Sequence, residues 1–432
     1  MGTGVLGSFS HYLWRYDKMF QLIRGNKKFR LLLVYQIFSG LGGGIFSIFM
    51  LLSVHLMYGN PLYTGIAGFL IVFPHIFSLM VGPVVDRRSK VTIMRLTTLL
   101  EFLVLTLLVV LSAFEILSVV VMFVIIFIYA LAALFEGPAA TAYLPQIVEE
   151  DHIMQANSCI MSATMVGGIA IAVFLFGVLG EVDNTGFGII YGVSAVFVAI
   201  AFLVSLFMRD VELKQAKTTA HNYLDDLKAG FNFLKRSILM FVLIMWVARA
   251  FVAEIAYVNM PMFLETHIGA QGYVIVQVLV LVGGVIASSL VGTFGGKFKI
   301  GYLLFALSLL AGGARIVFAL VLPNSYFGGL AVVLIYSILV VSGGIIISSM
   351  LQKIPPKDMV GRVDTLTGTF MAIAIAVGAL AGGYIGDIIP EVEHVFVIHG
   401  IMIIVIGLGA ILTPGIRKLP RMNDISKDGD SD

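Results

Sequence analysis

Gly82-Pro83-Val84-Val85-Asp86-Arg87-Arg88-Ser89-Lys90-Val91 closes one apolar run, residues 62–84, and opens the way to the next, residues 93–114. Each run has the length of about 20 residues that a helix needs to cross the hydrocarbon of a bilayer. A chain inside that hydrocarbon must satisfy its own backbone N–H and C=O groups, so both runs read as membrane helices. Arg87, Arg88 and Lys90, with Arg95 just beyond, then mark the loop between them as one that stays on the cytoplasmic side.

Outward from this loop the pattern recurs along the chain. The apolar runs predict twelve spans, at 31–57, 62–84, 93–114, 116–136, 157–179, 186–208, 237–263, 272–294, 301–322, 328–349, 364–387 and 394–414. Composition agrees, with 59% of the 432 residues hydrophobic and only 12% charged. Soluble domains carry about 25% charged residues, so this chain cannot clothe itself for water. The net charge of +2 gives no reason to expect a nucleic-acid partner. The lone Cys159 forms no disulfide framework and no zinc cage. The basic, aromatic first thirty residues are not expected to act as a cleavable signal peptide, and the first apolar run is longer than the core of one.

Lys and Arg alternate completely between the two sides. They fill the N-terminal arm, the loops after spans 2, 8 and 10, the segment 209–236 and the tail. The loops after odd-numbered spans hold neither, and carry Glu115, Glu181, Asp183, Glu265, Asp387, Glu391 and Glu393 instead. Both termini are therefore expected in the cytoplasm. The expected organisation is a basic arm (1–30), a six-helix half (31–208), a cytoplasmic linker (209–236), a second six-helix half (237–414) and a tail (415–432). At an offset of 210 residues Gly82 meets Gly292, and Pro145, read as lying in the loop after span 4, meets Pro355 after span 10. Such duplication is a device of transporters, which bind substrate between repeats near the midplane.

The loop after span 2 resembles the signature of the major facilitator superfamily, with Ser89 in place of its second glycine; Gly292-Thr293-Phe294-Gly295-Gly296-Lys297 is a degraded second copy. Gly137-Pro138-Ala139, Leu144-Pro145, Ala156-Asn157, Lys228-Ala229-Gly230-Phe231 and Gly361-Arg362-Val363 are similar to the macrolide-efflux and enterobactin-exporter branch. Two features depart from related drug/proton antiporters, since span 4 has no Arg and span 5 has no Gly-Pro. The resemblance implies an all-α fold of twelve helices in two pseudo-symmetric halves, with spans 1, 4, 7 and 10 lining a cavity. It implies that Gly82, Asp86, Arg87, Arg88, Lys90 and Arg362 form a conformational latch. Gly82 would let helices approach closely, and Asp86 would face the N-terminus of span 11, where the helix dipole favours an anion.

Charges inside a membrane are expensive and therefore informative. Span 7 carries Arg249 and Glu254, about 140° apart around the helix. Glu254 suits proton coupling, because low dielectric favours the neutral form of a carboxyl; the alternative is a structural hydrogen bond. Arg249 suits an anionic substrate, a carboxylate neighbour or a structural ion pair. Glu136 is read at the cytoplasmic end of span 4, snorkelling to water or gating the mouth. Glu101 and Arg315, on outer spans, are read as structurally paired. Tyr35, Gln36, Tyr129, Tyr257, Asn259 and Tyr336 are candidate cavity-lining residues.

The resulting expectation is a secondary transporter, exporting amphipathic small molecules of drug, macrolide or siderophore type in exchange for protons. It would work as a monomer in the bacterial cytoplasmic membrane, with no cofactor, metal or ATP. A lysolipid flippase or uniporter of the same fold is the alternative. An enzyme is disfavoured, since the chain has no His-Glu-x-x-His, intramembrane Asp pair, nucleophile elbow or Walker loop.

Overall fold

The computed structural model describes residues 23–149, 152–178, 184–210, 223–356, 359–421 and 424. The described residues are helical almost throughout. In chain order the helices are α1 (Lys27–Tyr58), α2 (Pro61–Val72), α3 (Ser78–Arg87), α4 (Lys90–Ala113), α5 (Val119–Ile147), α6 (Ile153–Val178), α7 (Asn184–Phe207) and α8 (Tyr223–Arg236). They continue with α9 (Leu239–Val258), α10 (Met260–Ile268), α11 (Ala270–Phe294), α12 (Ile300–Val321), α13 (Tyr326–Lys353), α14 (Val360–Ile388), α15 (Val392–Leu412) and α16 (Pro414–Arg417). Ten of the fully described helices are long and apolar enough to cross a bilayer. The uncharged α6 and the proline-broken α2–α3 complete the twelve expected spans.

Helix α4 shows what these helices face. Leu96, Leu100, Leu103, Leu107 and Val110 recur at helical spacing and are 39–60% exposed. Thr97, Thr98, Glu101, Val104, Leu105 and Leu108 are buried on the other side. The exposed stripe is apolar and the buried one carries the polar groups, which is the arrangement a hydrocarbon solvent demands.

Three spans differ from the sequence reading, each at a proline. The second span is interrupted by a 3-10 turn, Phe73–Phe77, with Pro74 in its first turn. Pro74 has no N–H to continue the α-helical ladder. The seventh span breaks at Asn259 and resumes as α10, with Pro261 at its start, where a missing N–H costs nothing. The Asn259 amide supports the break, donating 2.8 Å bonds to the carbonyls of Ile255 and Gly382. The fourth span does not end at residue 136. It runs through Pro138 and Pro145 to Ile147, so Pro145 lies in the helix and not in a loop. Packing overrides local propensity here: Ala139, Ala140, Tyr143 and Leu144 are buried in the core, and Asn26 Nδ2 caps the Ile147 carbonyl at 2.6 Å.

Internal contacts divide the chain into two compact units. One comprises residues 1–49 and 80–216, and the other residues 50–79 and 217–432. The first has a core of Phe29, Leu32, Val85, Met94, Leu134, Tyr143 and their neighbours. In it, Ser89 caps α4 by accepting the Thr92 N–H at 2.9 Å, and Asp210 accepts from Ser89 Oγ and from the Val91 N–H. A carboxylate at a helix N-terminus is favoured by the exposed N–H groups there.

The second unit is knitted by glycines. A Cβ on Gly312 would lie 2.5 Å from the Gly400 carbonyl, joining α12 to α15. A Cβ on Gly65 would lie 2.6 Å from the Ala379 oxygen and the Gly383 Cα, joining α2 to α14. Only glycine lets these backbones meet. Also in this unit, His55 Nε2 contacts Glu265 Oε2 at 2.7 Å and His267 contacts Glu393 at 2.8 Å.

Candidate functional site

In the first unit, α1, α4 and α5 bring five polar side chains together. Tyr35 and Ser39 stand one turn apart on α1, so they share a face. Tyr35 Oη donates to Glu136 Oε1 at 2.6 Å, and Ser39 Oγ donates to the same oxygen. Tyr35 Oη also lies 3.0 Å from Thr98 Oγ1. The Glu101 carboxyl stands beside that of Glu136. Tyr129 stands close by, its ring 4.0 Å from that of Phe46. Because α5 continues past Pro138, Glu136 is interior to its helix and not at its end. Glu101, only 1% exposed, faces an acid rather than a base. Gln36, the next residue on α1, is partly buried. Ser39 and Thr98 belong to this cluster although sequence gave no reason to choose them over other hydroxyls.

In the second unit, Glu254 on α9 lies against glycines of two other helices. A Cβ on Gly68 of α2 would stand 3.8 Å from Glu254 Oε1, and one on Gly378 of α14 would stand 3.1 Å from the Glu254 Cβ. Among the described residues Glu254 has no ion pair, and the interhelical hydrogen bond considered for it is not seen. Tyr257, one turn on, accepts from Gln277 of α11 at 3.2 Å. Asn259 is 1% exposed and occupied at the helix break.

Arg249 lines a cavity of about 540 Å³ between α9, α13 and α14, together with Trp246, Ala253, Gly344, Ser348, Gln352 and others. Its Nη2 is buried and has no hydrogen-bond partner. Arg315 is held differently. Its Nε donates to His399 Nδ1 at 3.2 Å, and its guanidinium sits 4.6 Å from the Phe396 ring centre, 4.8 Å from Tyr336 and 5.3 Å from Phe318. Neither arginine makes an ion pair with a carboxylate among the described residues. His399 lies in the field of both.

The signature loop is described in part. Arg87 and Arg88 are exposed, and Lys90 is 4% exposed with its Nζ 3.2 Å from the Arg88 carbonyl. Among the described residues no other helix comes within 4 Å of where a Gly82 Cβ would sit, whereas Gly65 and Gly383 do meet closely. Arg362, in the first turn of α14, packs on Gly230 of α8. The Asp86 side chain lies outside the described residues, and so does the contact expected of it.

Residues 31–379 match the family model described as Major Facilitator Superfamily. Macrolide efflux protein A of Streptococcus pyogenes is 24% identical over 376 residues, spanning 84% of this chain and 89% of that one. Its namesake in Enterococcus faecalis is 24% identical over 317 residues, spanning 70% and 94%. Among solved structures, nucleoside transporter NupG superposes with a TM-score of 0.67 at 16% identity, covering 88% of this chain and 98% of that one. The inward open xylose transporter XylE from E. coli superposes at 0.66 with 13% identity, covering 92% and 98%. The ten long apolar helices among the described residues, the matched family model and these shared folds place the chain in the major facilitator superfamily, as a transporter of small molecules.

Proposed function

We propose that this transporter exports amphipathic small molecules in exchange for protons, by alternating access between its halves, residues 31–208 and 237–414. The observation that carries this reading is the placement of Glu254, an acid without an ion-pairing partner wedged against Gly68 of α2 and Gly378 of α14. A charge left in this half-buried seam would have no counter-ion, at a cost of about 2.5–3.5 kcal/mol at membrane depth. Closing this seam and taking up a proton are thus one event, and losing the proton favours its opening. The Glu101–Glu136 pair offers a second proton store in the other unit. The macrolide efflux relatives support export of drug-like molecules. The loop charges support a cytoplasmic-membrane protein with both termini inside, and Asp86 and Arg362 as parts of a latch.

A lipid-translocating reading has one observation in its favour. A recess of about 510 Å³ between α9, α14 and α15 is lined only by apolar side chains, among them Val247, Phe251, Val377 and Val405. Proteoliposomes carrying an imposed pH gradient separate the two. Gradient-driven movement of a macrolide or an amphipathic dye supports proton-coupled export. Movement of lysolipid alone, indifferent to the gradient, replaces it with the flippase.

A further inference from the structure

We infer that the cavity at Arg249 binds the anionic group of an amphiphilic substrate, a carboxylate or a phosphate monoester. The inference rests on the transporter reading and narrows the class of molecule carried.

A guanidinium stays charged under all working conditions, so burying it demands a counter-charge or an equivalent set of acceptors. Arg315 has such a set, in three aromatic faces and the His399 ring nitrogen. Arg249, in the same unit, makes no ring-face contact and no hydrogen bond to an acceptor among the described residues. Its Nη1 points towards Gly343, 3.1 Å from where a Cβ would sit, and its Nη2 is buried with no acceptor. The nearest acid along its own helix, Glu254, is five residues on and turned about 140° away. Arg249 is at the same time one of the residues that line the cavity.

The cavity has the form of an amphiphile site. Its volume of about 540 Å³ falls within the range of small-molecule pockets. Ser348 and Gln352 supply polar groups, while Val340, Val341, Ile345 and Met371 supply an apolar wall. Gly344 contributes no side chain and has open space where a Cβ would be. An acidic head would take a two-pronged hydrogen bond from the guanidinium fork, which fits planar carboxylate and tetrahedral phosphate oxygens alike. The apolar body would lie along α13. A cationic amphiphile would meet Arg249 with the wrong sign, so charge selects among drugs of similar size.

Trp246, one turn before Arg249 on the cavity wall, reports occupancy. The sequence has two tryptophans, and Trp14→Phe leaves Trp246 alone. The full chain in nanodiscs would be titrated with 1-pyrenebutanoate, its methyl ester, pyrenebutylamine and a lysophosphatidate, with empty nanodiscs subtracted. The butanoate should quench Trp246 saturably and bind about tenfold or more tighter than the ester. Lysophosphatidate competing as well as the butanoate identifies phosphate as an accepted head; no competition confines the site to carboxylates. Arg249→Gln should erase the preference for acid over ester, and Arg249→Lys should keep part of it, both judged on protein that elutes as a single species. Equal binding of acid and ester by the parent protein, preference for the amine, or a preference that survives Arg249→Gln overturns the inference. No gradient is applied, so failure of proton coupling leaves this result standing, and failure here leaves proton coupling standing.

Discussion

The Tyr35 hydroxyl on α1 donates a 2.6 Å hydrogen bond to Glu136 Oε1 on α5, in the same cluster where Glu136 meets the carboxyl of Glu101 on α4. Two acids side by side in an apolar bundle resist ionising together, which suits the pair to exchanging a proton. Glu136→Gln keeps the shape and can accept from Tyr35, so the variant should fold. Gradient-driven transport in proteoliposomes should fall about tenfold or more, with substrate exchange at equal pH largely kept. Loss of both activities together would assign Glu136 to structure alone.

The contact of Gly65 with Gly383 predicts a conformational effect. Alanine at either position would overlap the facing backbone, and overpacking of this kind costs about 1–3 kcal/mol. The cost falls on the state in which α2 and α14 touch. In a Cys159→Ser background, Thr64→Cys on α2, where the native residue is 1% exposed, should react with maleimide faster once Gly383→Ala is added. Unchanged labelling would mean that the seam does not open.

Arg315 stacks on three rings and bonds His399, so its replacement should damage folding rather than selectivity. Arg315→Gln leaves the aromatic box without its cation and should lower stability by about 2 kcal/mol or more. Arg315→Lys should be only partly restored, because an ammonium cannot both stack and reach the imidazole. Thermal unfolding in detergent measures both.

Asp86 tests the latch inherited from the signature loop. Asp86→Asn should slow turnover several-fold while leaving substrate affinity within about twofold, as expected when an interaction steadies one state without touching the ligand. Equal turnover in the two proteins would remove the latch.

Much of the fold was legible because its solvent dictates it. Residues such as Leu96, Leu100 and Leu103 can be exposed only to lipid, and the placement of Arg87, Arg88 and Lys90 reveals where the chain leaves it. The duplicated plan is visible in α4 and α12, which begin 210 residues apart at Lys90 and Ile300. Helix ends at proline were not legible. Pro138 and Pro145 are absorbed by long-range packing, whereas Pro74 and Pro261 are not, and nothing local separates these cases. Candidate charges could be named from sequence because each is costly in the membrane, but their partners could not. Glu101 meets an acid and Arg249 meets a cavity, and both relationships are made by residues distant in the chain.

Glu254 carries the central claim, and it can be tested without knowing the native substrate. In proteoliposomes, a transported dye would be followed under an imposed pH gradient and in exchange at equal pH, for the parent protein and for Glu254→Gln. Coupled export predicts that the variant loses gradient-driven movement and retains exchange, since glutamine mimics the protonated acid in the seam. Gradient-driven movement that persists in Glu254→Gln would contradict the account and return Glu254 to a packing role.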